Sequence, residues 1–546
     1  MKLLLLLGLL TPICLLGQEA LSNITVSKIQ KNSFTLHWNS PHTGITAVKY
    51  GLTPSLELGL QQQTIKSQQQ HQITLTQLEA AHFYYAQPLL IQEQDTLYGT
   101  MGYYSTQSNS SGVIRVLFNQ GIDPTYSTGV TPYISSGPST IENEIISMIN
   151  QATSTIDIAV YNNTRSAIVQ ALTNAHNNGI RVRYIANSGS ITSNAALSPA
   201  PPFPVFYANA NDLMHNKFMI IDAGNTNNAW VWTGSCNWTY TDMYTNYNNF
   251  LAIQDQALAQ AYVIEFEEMW GSSTANYNST TSRVGSSKTN NTPHQFNIGG
   301  RTIECYFSPS DGTTDEIESA LYSADNDIEF CLLAFTRNEL GTAIRNEHQS
   351  GTMEHGIMEN INDIGSEYNW LVGQGVNILA DNHSTDLHHK YAIVDAGNNA
   401  SDPQVITGSH NWTTAAEERN DENILIIHDA AITNLYLQEF TARWCEVKNH
   451  NNCALPFTVS STTALESEAA IALFPNPAQN SFSITASTTF PPNTIAHLYT
   501  TTGQLIKTYP LQATKEQQFN THQLDNGLYF LVIPQLNWQT AVSILR

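Results

Sequence analysis

The pattern of hydrophobic and polar positions changes three times along the chain. Between residues 20 and 105, apolar and polar residues alternate in short runs separated by turns, which is typical of a β-sandwich. Between residues 112 and 446, apolar residues such as Ile141 and Ile145 recur at helical spacing, and these stretches alternate with short apolar strands. After residue 471, strand-like alternation returns with Pro-Asn-Pro and Asn-Gly punctuation. The pattern therefore predicts an α/β region flanked by two all-β sandwich modules.

The α/β region divides into two similar halves. Residues 141–187 predict a helix, a strand, a helix and a strand. The second half repeats the helix and the strand, and its second helix is followed by a longer insertion at residues 356–381. Alternating strands and helices favour a mixed sheet covered on both faces. A polar Ser/Thr/Asn stretch, residues 271–299, is predicted to tether the halves, which run from about 112 to 270 and from 300 to 446.

One sequence motif made of residues that can take part in catalysis occurs once in each half. A His, a Lys two residues later and an Asp five residues after that are followed by Gly-Ser-x-Asn. The residues are His215, Lys217, Asp222, Ser235 and Asn237 in the first copy and His388, Lys390, Asp395, Ser409 and Asn411 in the second. The apolar run between Lys and Asp predicts a buried strand, in which His and Lys point to the same side.

These residue types suit phosphoryl transfer, which depends on positioning and on stabilising charge at the phosphate oxygens. Two lysines and two asparagines supply donors without a metal, and the serines can add further donors. One histidine can attack phosphorus while a second protonates the leaving oxygen. A structural duplication without chemistry is the alternative. It does not explain why a chain with 22 Lys and Arg in 546 residues keeps Lys at the matching place twice.

The duplicated motif resembles that of the phospholipase D superfamily, over about residues 112–446. The resemblance implies a metal-independent phosphodiesterase in which two pseudo-symmetric halves meet at one active site and a phosphohistidine forms. One of His215 and His388 would be the nucleophile and the other the general acid. The phosphate would be held by Lys217, Lys390, Asn237 and Asn411, and Asp222 and Asp395 would support the site geometry. No cofactor is expected.

One position separates the two copies. The family tends to place Asn-x-Glu after the motif, and the second copy has it with Glu422, whereas the first copy has Asn248 at the matching place. A carboxylate fixes the tautomer of an imidazole and raises its basicity. The family often uses the first histidine as nucleophile, but if Glu422 contacts His388, the charge favours His388. Asp242 is an alternative acid for the first half.

Four potential metal ligands lie close together in the sequence, namely His383, Asp386, His388 and His389. Their spacing matches no zinc motif, and Lys390 would repel a cation at the same place. The sequence therefore predicts no catalytic metal.

The ends of the chain indicate export. Residues 1–17 have the basic start and short apolar core of a signal peptide, and no later segment is long and apolar enough to span a bilayer. Residues 20–105 resemble a fibronectin type III domain with Trp38 in its core. After a linker at 447–470, the phrases Phe-Pro-Asn-Pro, Thr-Gly-Gln and Leu-x-x-Gly-Leu-Tyr in residues 471–546 resemble the sorting domain of type IX secretion. The resemblance implies the type IX machinery as a partner and a secreted or cell-surface protein of a Gram-negative bacterium.

Charge and cysteine content refine this interpretation. The formal net charge is −23, which argues against broad nucleic-acid binding, although a local basic channel can exist in an acidic protein. Cys445 and Cys453 are close enough in sequence to form a disulfide in an oxidising compartment.

Three functions remain open at this stage. The leading hypothesis is a secreted phospholipase D that hydrolyses glycerophospholipid head groups. The second is a non-specific endonuclease of the same superfamily, with nucleic acid as its substrate. The third is a surface binding protein whose diesterase site is degenerate, as Asn248 at the Glu position would allow.

Overall fold

The computed structural model describes most of the chain in two compact units, Met1–Ser460 and Ser461–Arg546. The described residues are 21–63, 69–93, 95–133, 138–189, 191–208, 212–398, 400–457, 459, 471–474, 478–486, 489–490, 494–500, 505–533 and 538–544. The predicted signal peptide and half of the predicted linker lie outside them, as do residues 475–477 and 501–504 of the sorting phrases. Among the described helices, none is long and apolar enough to cross a membrane.

The N-terminal part of the first unit is all-β. Its strands are β1 (Ser22–Gln30), β2 (Ser33–Asn39), β3 (Ile45–Gly51), β4 (Gly59–Gln63), β5 (Gln70–Thr76), β6 (Phe83–Ile91), β7 (Thr96–Tyr98) and β8 (Gly102–Ser105). They form one sheet in the order β1-β2-β5 and another in the order β4-β3-β6-β7, with β8 paired to β6. Trp38 lies in the core between them, stacked on His71. The all-β fold agrees with the prediction, and the fibronectin type III likeness stays a prediction.

The first half of the α/β region builds a seven-stranded mixed sheet. Its elements are β9 (Ile114–Phe118), α1 (Pro138–Gln151), β10 (Thr155–Val160), α2 (Ser166–Asn177), β11 (Arg181–Asn187), β12 (Val205–Ala208), β13 (Lys217–Ile221), β14 (Trp230–Gly234), α3 (Tyr240–Tyr244), β15 (Asn249–Gln254) and α4 (Gln256–Trp270). The strand order is β12-β11-β10-β13-β14-β15-β9, in which β10 runs parallel to β11 and antiparallel to β13.

The second half builds an eight-stranded sheet of the same topology. Its elements are β16 (Gln295–Ile298), β17 (Arg301–Ser308), α5 (Thr313–Tyr322), β18 (Asp327–Leu332), α6 (Asn338–Ser350), β19 (Met353–Met358), α7 (Tyr368–Gln374), β20 (Asn377–Ala380), β21 (Lys390–Val394), β22 (Gln404–Gly408), α8 (Thr414–Glu418), β23 (Glu422–His428) and α9 (Ala430–Val447). The order β16-β17-β23-β22-β21-β18-β19-β20 matches the first sheet strand for strand, with β16 added at one edge. Short 3₁₀ helices lie at Pro124–Tyr126, Ile191–Leu197 and Gly285–Ser287.

The expected α/β fold of two pseudo-symmetric halves is therefore present, with one mixed sheet in each half. The predicted insertion at 356–381 is smaller than expected because its first residues belong to β19, the counterpart of β11. The sequence pattern did not predict β19, because this strand is short and the residues on either side of it are polar. The predicted Cys445–Cys453 disulfide is present at the end of α9.

Buried strands carry apolar residues on both faces because both faces are covered. In β13, Phe218 and Ile220 belong to a core that includes residues of both halves, whereas Met219 and Ile221 pack in a separate core with α1 and α2. Helices α4 and α9 contribute to the shared core. The first residues of β13 and β21 are the two motif lysines, and both are almost completely buried.

The second unit is a small all-β module. Its strands are β24 (Ile471–Phe474), β25 (Ser481–Ala486), β26 (Ile495–Thr500), β27 (Leu505–Pro510), β28 (Glu516–Asn520), β29 (Gly527–Ile533) and β30 (Trp538–Ile544). They form sheets in the orders β24-β25-β28 and β27-β26-β29-β30, around a core that includes Phe482 and Leu531.

Asp222 and Asp395 lie at the ends of β13 and β21, away from the lysines that begin these strands. The Asp222 carboxylate accepts the backbone N–H groups of Thr153, Ser154 and Thr155 at 2.6, 2.7 and 2.8 Å. Asp395 accepts those of the matching turn before β18. Each has a positive φ, 48° and 57°, which aspartate tolerates better than most residues. Any support that Asp222 and Asp395 give to the site geometry is therefore indirect, and neither acts as a catalytic group at the lysines, because both hold the turns that lead into the central strands.

Replacing Asp222 should destabilise the turn before β10. We expect Asp222→Ala to lower the free energy of unfolding by about 3 kcal/mol, because three backbone N–H groups lose a charged acceptor that is itself buried. Asp222→Asn should cost less, since one amide oxygen remains and Asn accepts positive φ. Denaturant unfolding combined with hydrogen exchange of residues 153–155 measures both effects.

The pH dependence should have a defined sign. Although burial acts to raise it, the bonds from Ser154, Thr155 and Thr153 hold the pKa of Asp222 below its ordinary value. The stabilisation is therefore complete above the ordinary pKa and is lost as pH falls through the lowered one. Unchanged stability and unchanged exchange at 153–155 in Asp222→Ala would contradict this role.

Candidate active site

The two motif histidines lie where the halves meet, and each is held by residues of the opposite half. His215 and His388 immediately precede β13 and β21 and are 7% and 9% exposed. Glu422, at the start of β23, reaches His215, and Asn248, just before β15, reaches His388. The single site is therefore assembled by exchange of contacts between the halves.

His215 is fixed by two consecutive residues of the second half. Its Nδ1 lies 2.8 Å from both carboxylate oxygens of Glu422, and its backbone N–H donates to the Asp421 carbonyl at 3.0 Å. Because an ionised carboxylate can only accept, Nδ1 carries the proton and Nε2 keeps a free lone pair. The condition that Glu422 contacts His388 is not met, because β23 carries Glu422 across the interface to His215.

His388 has the same arrangement with a neutral partner. Its Nδ1 lies 3.0 Å from the Asn248 side-chain oxygen, and its backbone N–H donates to the Tyr247 carbonyl at 3.0 Å. Asp242, the alternative acid, instead accepts from the amides of Asn237 and Asn246 at 2.8 and 2.9 Å. The two imidazoles therefore share a geometry and differ in the charge of their partners.

The motif serines orient these partners. Ser409 Oγ donates to Glu422 Oε2 at 2.7 Å, and Ser235 Oγ donates to Asn248 Oδ1 at 2.8 Å. Both hydroxyls also accept a backbone N–H, from Asn423 and Asn249. Their predicted phosphate contacts are not what the structure contains, because the hydroxyls are fully buried beneath the histidines' partners.

The two lysines are buried beside the histidines. Lys217 Nζ donates to the His215 carbonyl at 2.5 Å and Lys390 Nζ to the His388 carbonyl at 2.8 Å. Burial lowers the pKa of Lys217 to about 8, and burial together with the nearby Lys217 charge lowers the pKa of Lys390 to about 7. Two cations forced together in a buried site favour the arrival of an anion.

The motif asparagines complete the cluster. Asn237 is buried and Asn411 half-buried. Among the described residues, the Oδ1 atoms of both asparagines have no hydrogen-bond partner. The assignment of oxygen and nitrogen in an amide follows from its partners, so Asn411 can equally turn its NH₂ group toward an anion.

The electrostatics of the histidines are unequal. Burial lowers the pKa of both histidines, and the charges of Lys217 and Lys390 add to this effect at both rings, but at His215 the Glu422 charge opposes it. Although burial acts to raise it, the pKa of Glu422 is held below its ordinary value by His215 and Lys217. Of the two catalytic imidazoles, only that of His215 therefore lies beside the buried negative charge of Glu422.

Tyr161 is a neighbour of the site that the sequence analysis missed. Its ring centroid lies 4.9 Å from that of His215, and Lys217 Nζ lies 5.2 Å from the ring centroid. Its backbone N–H donates to the Asn216 carbonyl as that of Leu333 donates to His389 in the second half. Tyr161 directly follows the apolar run of β10, so an alignment of the two halves would have identified this position as a neighbour of the site.

The histidines that are clustered in the sequence do not converge. His383 bonds Asp381 and Glu446, and His389 bonds Glu439 at 3.0 Å. Each of these residues meets a different residue of the first half, because His388 bonds Asn248, His389 bonds Asn249 and Asp386 bonds Asn246. Proximity in sequence therefore does not indicate a shared ligand at this place.

Comparison with known proteins follows the same division of the chain. Residues 145–270 and 317–444 match the family model of the cardiolipin synthase, PLD-like domain, once in each half. Residues 472–544 match the secretion system C-terminal sorting domain, which indicates a secreted or cell-surface bacterial protein.

Individual relatives agree with the family match. The mitochondrial cardiolipin hydrolase of Xenopus tropicalis is 33% identical over 148 residues, which are 27% of this chain and 68% of that protein. The mouse enzyme is 35% identical over 146 residues, 26% of this chain and 62% of its own length, so the chain spans less than two thirds of the mouse protein. Nuc from Salmonella typhimurium, a phospholipase D family member of known structure, aligns at 24% identity over 26% of this chain and 94% of its own, with a TM-score of 0.24. With its duplicated motif and the family match in both halves, the chain belongs to the phospholipase D superfamily of phosphodiesterases.

Proposed function

We propose that the protein is a secreted phospholipase D that hydrolyses glycerophospholipids through a phosphohistidine on His215, with His388 as general acid and base. The observation that carries the assignment of roles is the unequal pair of partners, a carboxylate at His215 and an amide at His388. The proposal reverses the preference for His388 that would follow if Glu422 contacted that ring.

The buried cations account for substrate binding. Lys217 and Lys390 would hold the phosphodiester oxygens, with Asn237 and Asn411 as neutral neighbours. Both lysines have lowered pKa values, and an anion between them would raise these values. Binding of the phosphodiester and full protonation of the lysines should therefore be coupled.

His215 is suited to attack. Glu422 accepts the Nδ1 proton, so the Nε2 lone pair is directed at phosphorus and the positive charge that develops on the ring is stabilised. In the first step the Nε2–P bond forms and the bond from phosphorus to the leaving oxygen breaks. The leaving oxygen takes a proton from His388 Nε2.

His388 is suited to give up that proton. Its partner Asn248 orients the ring but adds no charge that would stabilise the imidazolium. In the second step, His388 accepts a proton from water, the hydroxide attacks phosphorus and the bond to His215 breaks. The enzyme is then restored, and the products are phosphatidic acid and the head-group alcohol.

Two observations support a lipid substrate and export. The net charge of −23 disfavours long polyanions, and relatives named mitochondrial cardiolipin hydrolase and phospholipase D align with this chain. The sorting domain supports delivery by the type IX machinery of a Gram-negative bacterium. The convergence of both histidines and both lysines argues against a degenerate site.

Substrate class is tested by a paired assay in EDTA. Mature protein should release head group from phosphatidylcholine or phosphatidylethanolamine vesicles and leave plasmid DNA intact. His215→Asn and His388→Asn should each lower turnover by about 10³-fold or more, because each removes a covalent or proton-transfer step. His82→Asn, in the N-terminal all-β module, is the matched control. Plasmid cleavage without lipid turnover would instead identify an endonuclease.

The nucleophile is tested by trapping the intermediate. With a p-nitrophenyl phosphodiester, whose leaving group needs no proton, His388→Asn should accumulate phosphoenzyme because the second step lacks its base. Acid-free quenching and peptide mass spectrometry should locate the phosphoryl group on His215. A label on His388 in the reciprocal His215→Asn variant would contradict the assignment.

Coupled protonation is tested by binding measurements. In His215→Asn, a diester that stays singly ionised should bind about 10- to 100-fold more weakly at pH 9 than at pH 7, since the lysines lose their protons in this range. Calorimetry in two buffers of different ionisation enthalpy should detect proton uptake near pH 8. Lys390→Met should reduce the uptake, and the exposed Lys49→Met is the control. Binding that is independent of pH would rule out this coupling.

A further inference from the structure

Helices α4 and α9 each carry a buried glutamate at the same position. Glu265 and Glu439 stand ten residues after the aspartates that cap the helices, Asp255 and Asp429, and each is 1% exposed. Neither residue belongs to the motif, and neither contacts a catalytic histidine. A buried carboxylate is costly unless it is paired, so their partners indicate what they do.

In the first half, the partner is a lysine of the segment that joins the halves. Lys288 Nζ lies 2.5 Å from Glu265 Oε1 and 3.4 Å from Asp421 Oδ1, and the lysine side chain is fully buried. Asp421 is the residue whose carbonyl accepts the His215 backbone N–H, and it precedes Glu422. Lys288 thus links α4 to the two residues that hold His215.

In the second half, Glu439 bonds His389 Nε2 at 3.0 Å and accepts from the Tyr391 hydroxyl, and its permanently charged partner comes from the helix itself. Arg443 NH1 lies 3.4 Å from Glu439 Oε1, and the guanidinium lies 4.3 Å from the centroid of the Tyr247 ring. Tyr247 is the residue whose carbonyl accepts the His388 backbone N–H, and it precedes Asn248. Arg443 thus links α9 to the two residues that hold His388.

The comparison explains why the joining segment contributes a residue. Arg443 stands four residues after Glu439, and the matching residue after Glu265 is Met269, which carries no charge. Without a cation from its own helix, Glu265 receives one from Lys288. The buried cation near each catalytic histidine therefore comes from a different part of the chain, the joining segment in the first half and helix α9 in the second.

We propose that Lys288 and Arg443 are positioning residues, each of which locks one catalytic histidine to the opposite half through a buried helix glutamate. Lys288 fixes Asp421 and thereby the geometry of His215 and Glu422. Arg443 fixes Tyr247 and thereby the geometry of His388 and Asn248. The joining segment is on this account a part of the active-site scaffold, and the assignment of each lock to a reaction step rests on the proposed function.

The rates at which two phosphodiester substrates react distinguish the effect of Lys288 from that of Arg443. Phosphatidyl-p-nitrophenol needs no proton on its leaving group, whereas phosphatidylcholine does. Lys288→Met should lower kcat by about 10²-fold on both esters with little change in KM, because it misplaces the nucleophile. Arg443→Met should slow the first step, measured in a single turnover, only on the choline ester, because p-nitrophenol leaves without a proton from His388. Its steady-state kcat should fall on both esters, because His388 is the base of the second step for both. Lys288→Arg should recover most of the activity, since the cation is restored.

Removing a buried cation can also unfold the protein, so a neutral pair is included. Glu265→Gln combined with Lys288→Met removes both charges of the shorter ion pair, and Asp421 keeps the Gly285 N–H donor, so this variant should fold while the link from Lys288 to Asp421 stays broken. This double variant should show the same loss of kcat as a folded Lys288→Met. Wild-type kcat in the folded double variant would overturn the proposal, as would an equal loss of the first-step rate on both esters in Arg443→Met.

Hydrogen exchange tests the locks independently of turnover. Exchange at the His215 amide should become faster in the Lys288 variants and remain unchanged at His388, and Arg443→Met should do the converse. A wild-type protein that cleaves neither ester would refute the proposed function, and selective exchange would still support the locks. Equal exchange at both histidines in every folded variant would overturn them.

Discussion

The bond between His215 and Glu422 crosses from one half of the molecule to the other, and most of the site depends on this crossing. The residues after Glu422 and Asn248 continue the exchange, because Thr233 donates to Asn423 at 2.7 Å and Thr407 donates to Asn249 at 2.8 Å. These buried bonds satisfy polar groups that would otherwise be costly at the centre of a shared apolar core. Neither half can therefore complete its histidine site alone.

This constraint gives a duplicated fold a way to become asymmetric. Symmetric scaffolds hold both imidazoles by a backbone carbonyl and a side-chain acceptor, so a single change, Asn248 against Glu422, alters the charge without altering the geometry. A nucleophile benefits from an adjacent carboxylate and a proton donor from its absence. The unequal partners thus provide two different reactivities from one repeated arrangement.

Much of this could be predicted from the sequence. The order of helices and strands follows from hydrophobic period, and β13 and β21 are recognisable because both of their faces are buried. The convergence of His215, Lys217, His388 and Lys390 follows from the repeated motif and its resemblance. Assigning Ser235 and Ser409 to the phosphate failed because the pattern gives residue types but not which acceptor each hydroxyl meets.

The contacts between the two halves are the main feature that could not be predicted from the sequence. Glu422 lies only 34 residues after His388 and 207 after His215, so proximity along the chain favoured the wrong ring. The same limit hid the pairing of Lys288 with Asp421, because no local pattern marks a lysine in a polar segment as buried. In a duplicated fold whose halves exchange contacts, the partner of a residue is best sought at the pseudo-equivalent place in the other copy. That rule assigns Glu422 to His215 and Asn248 to His388 without further information.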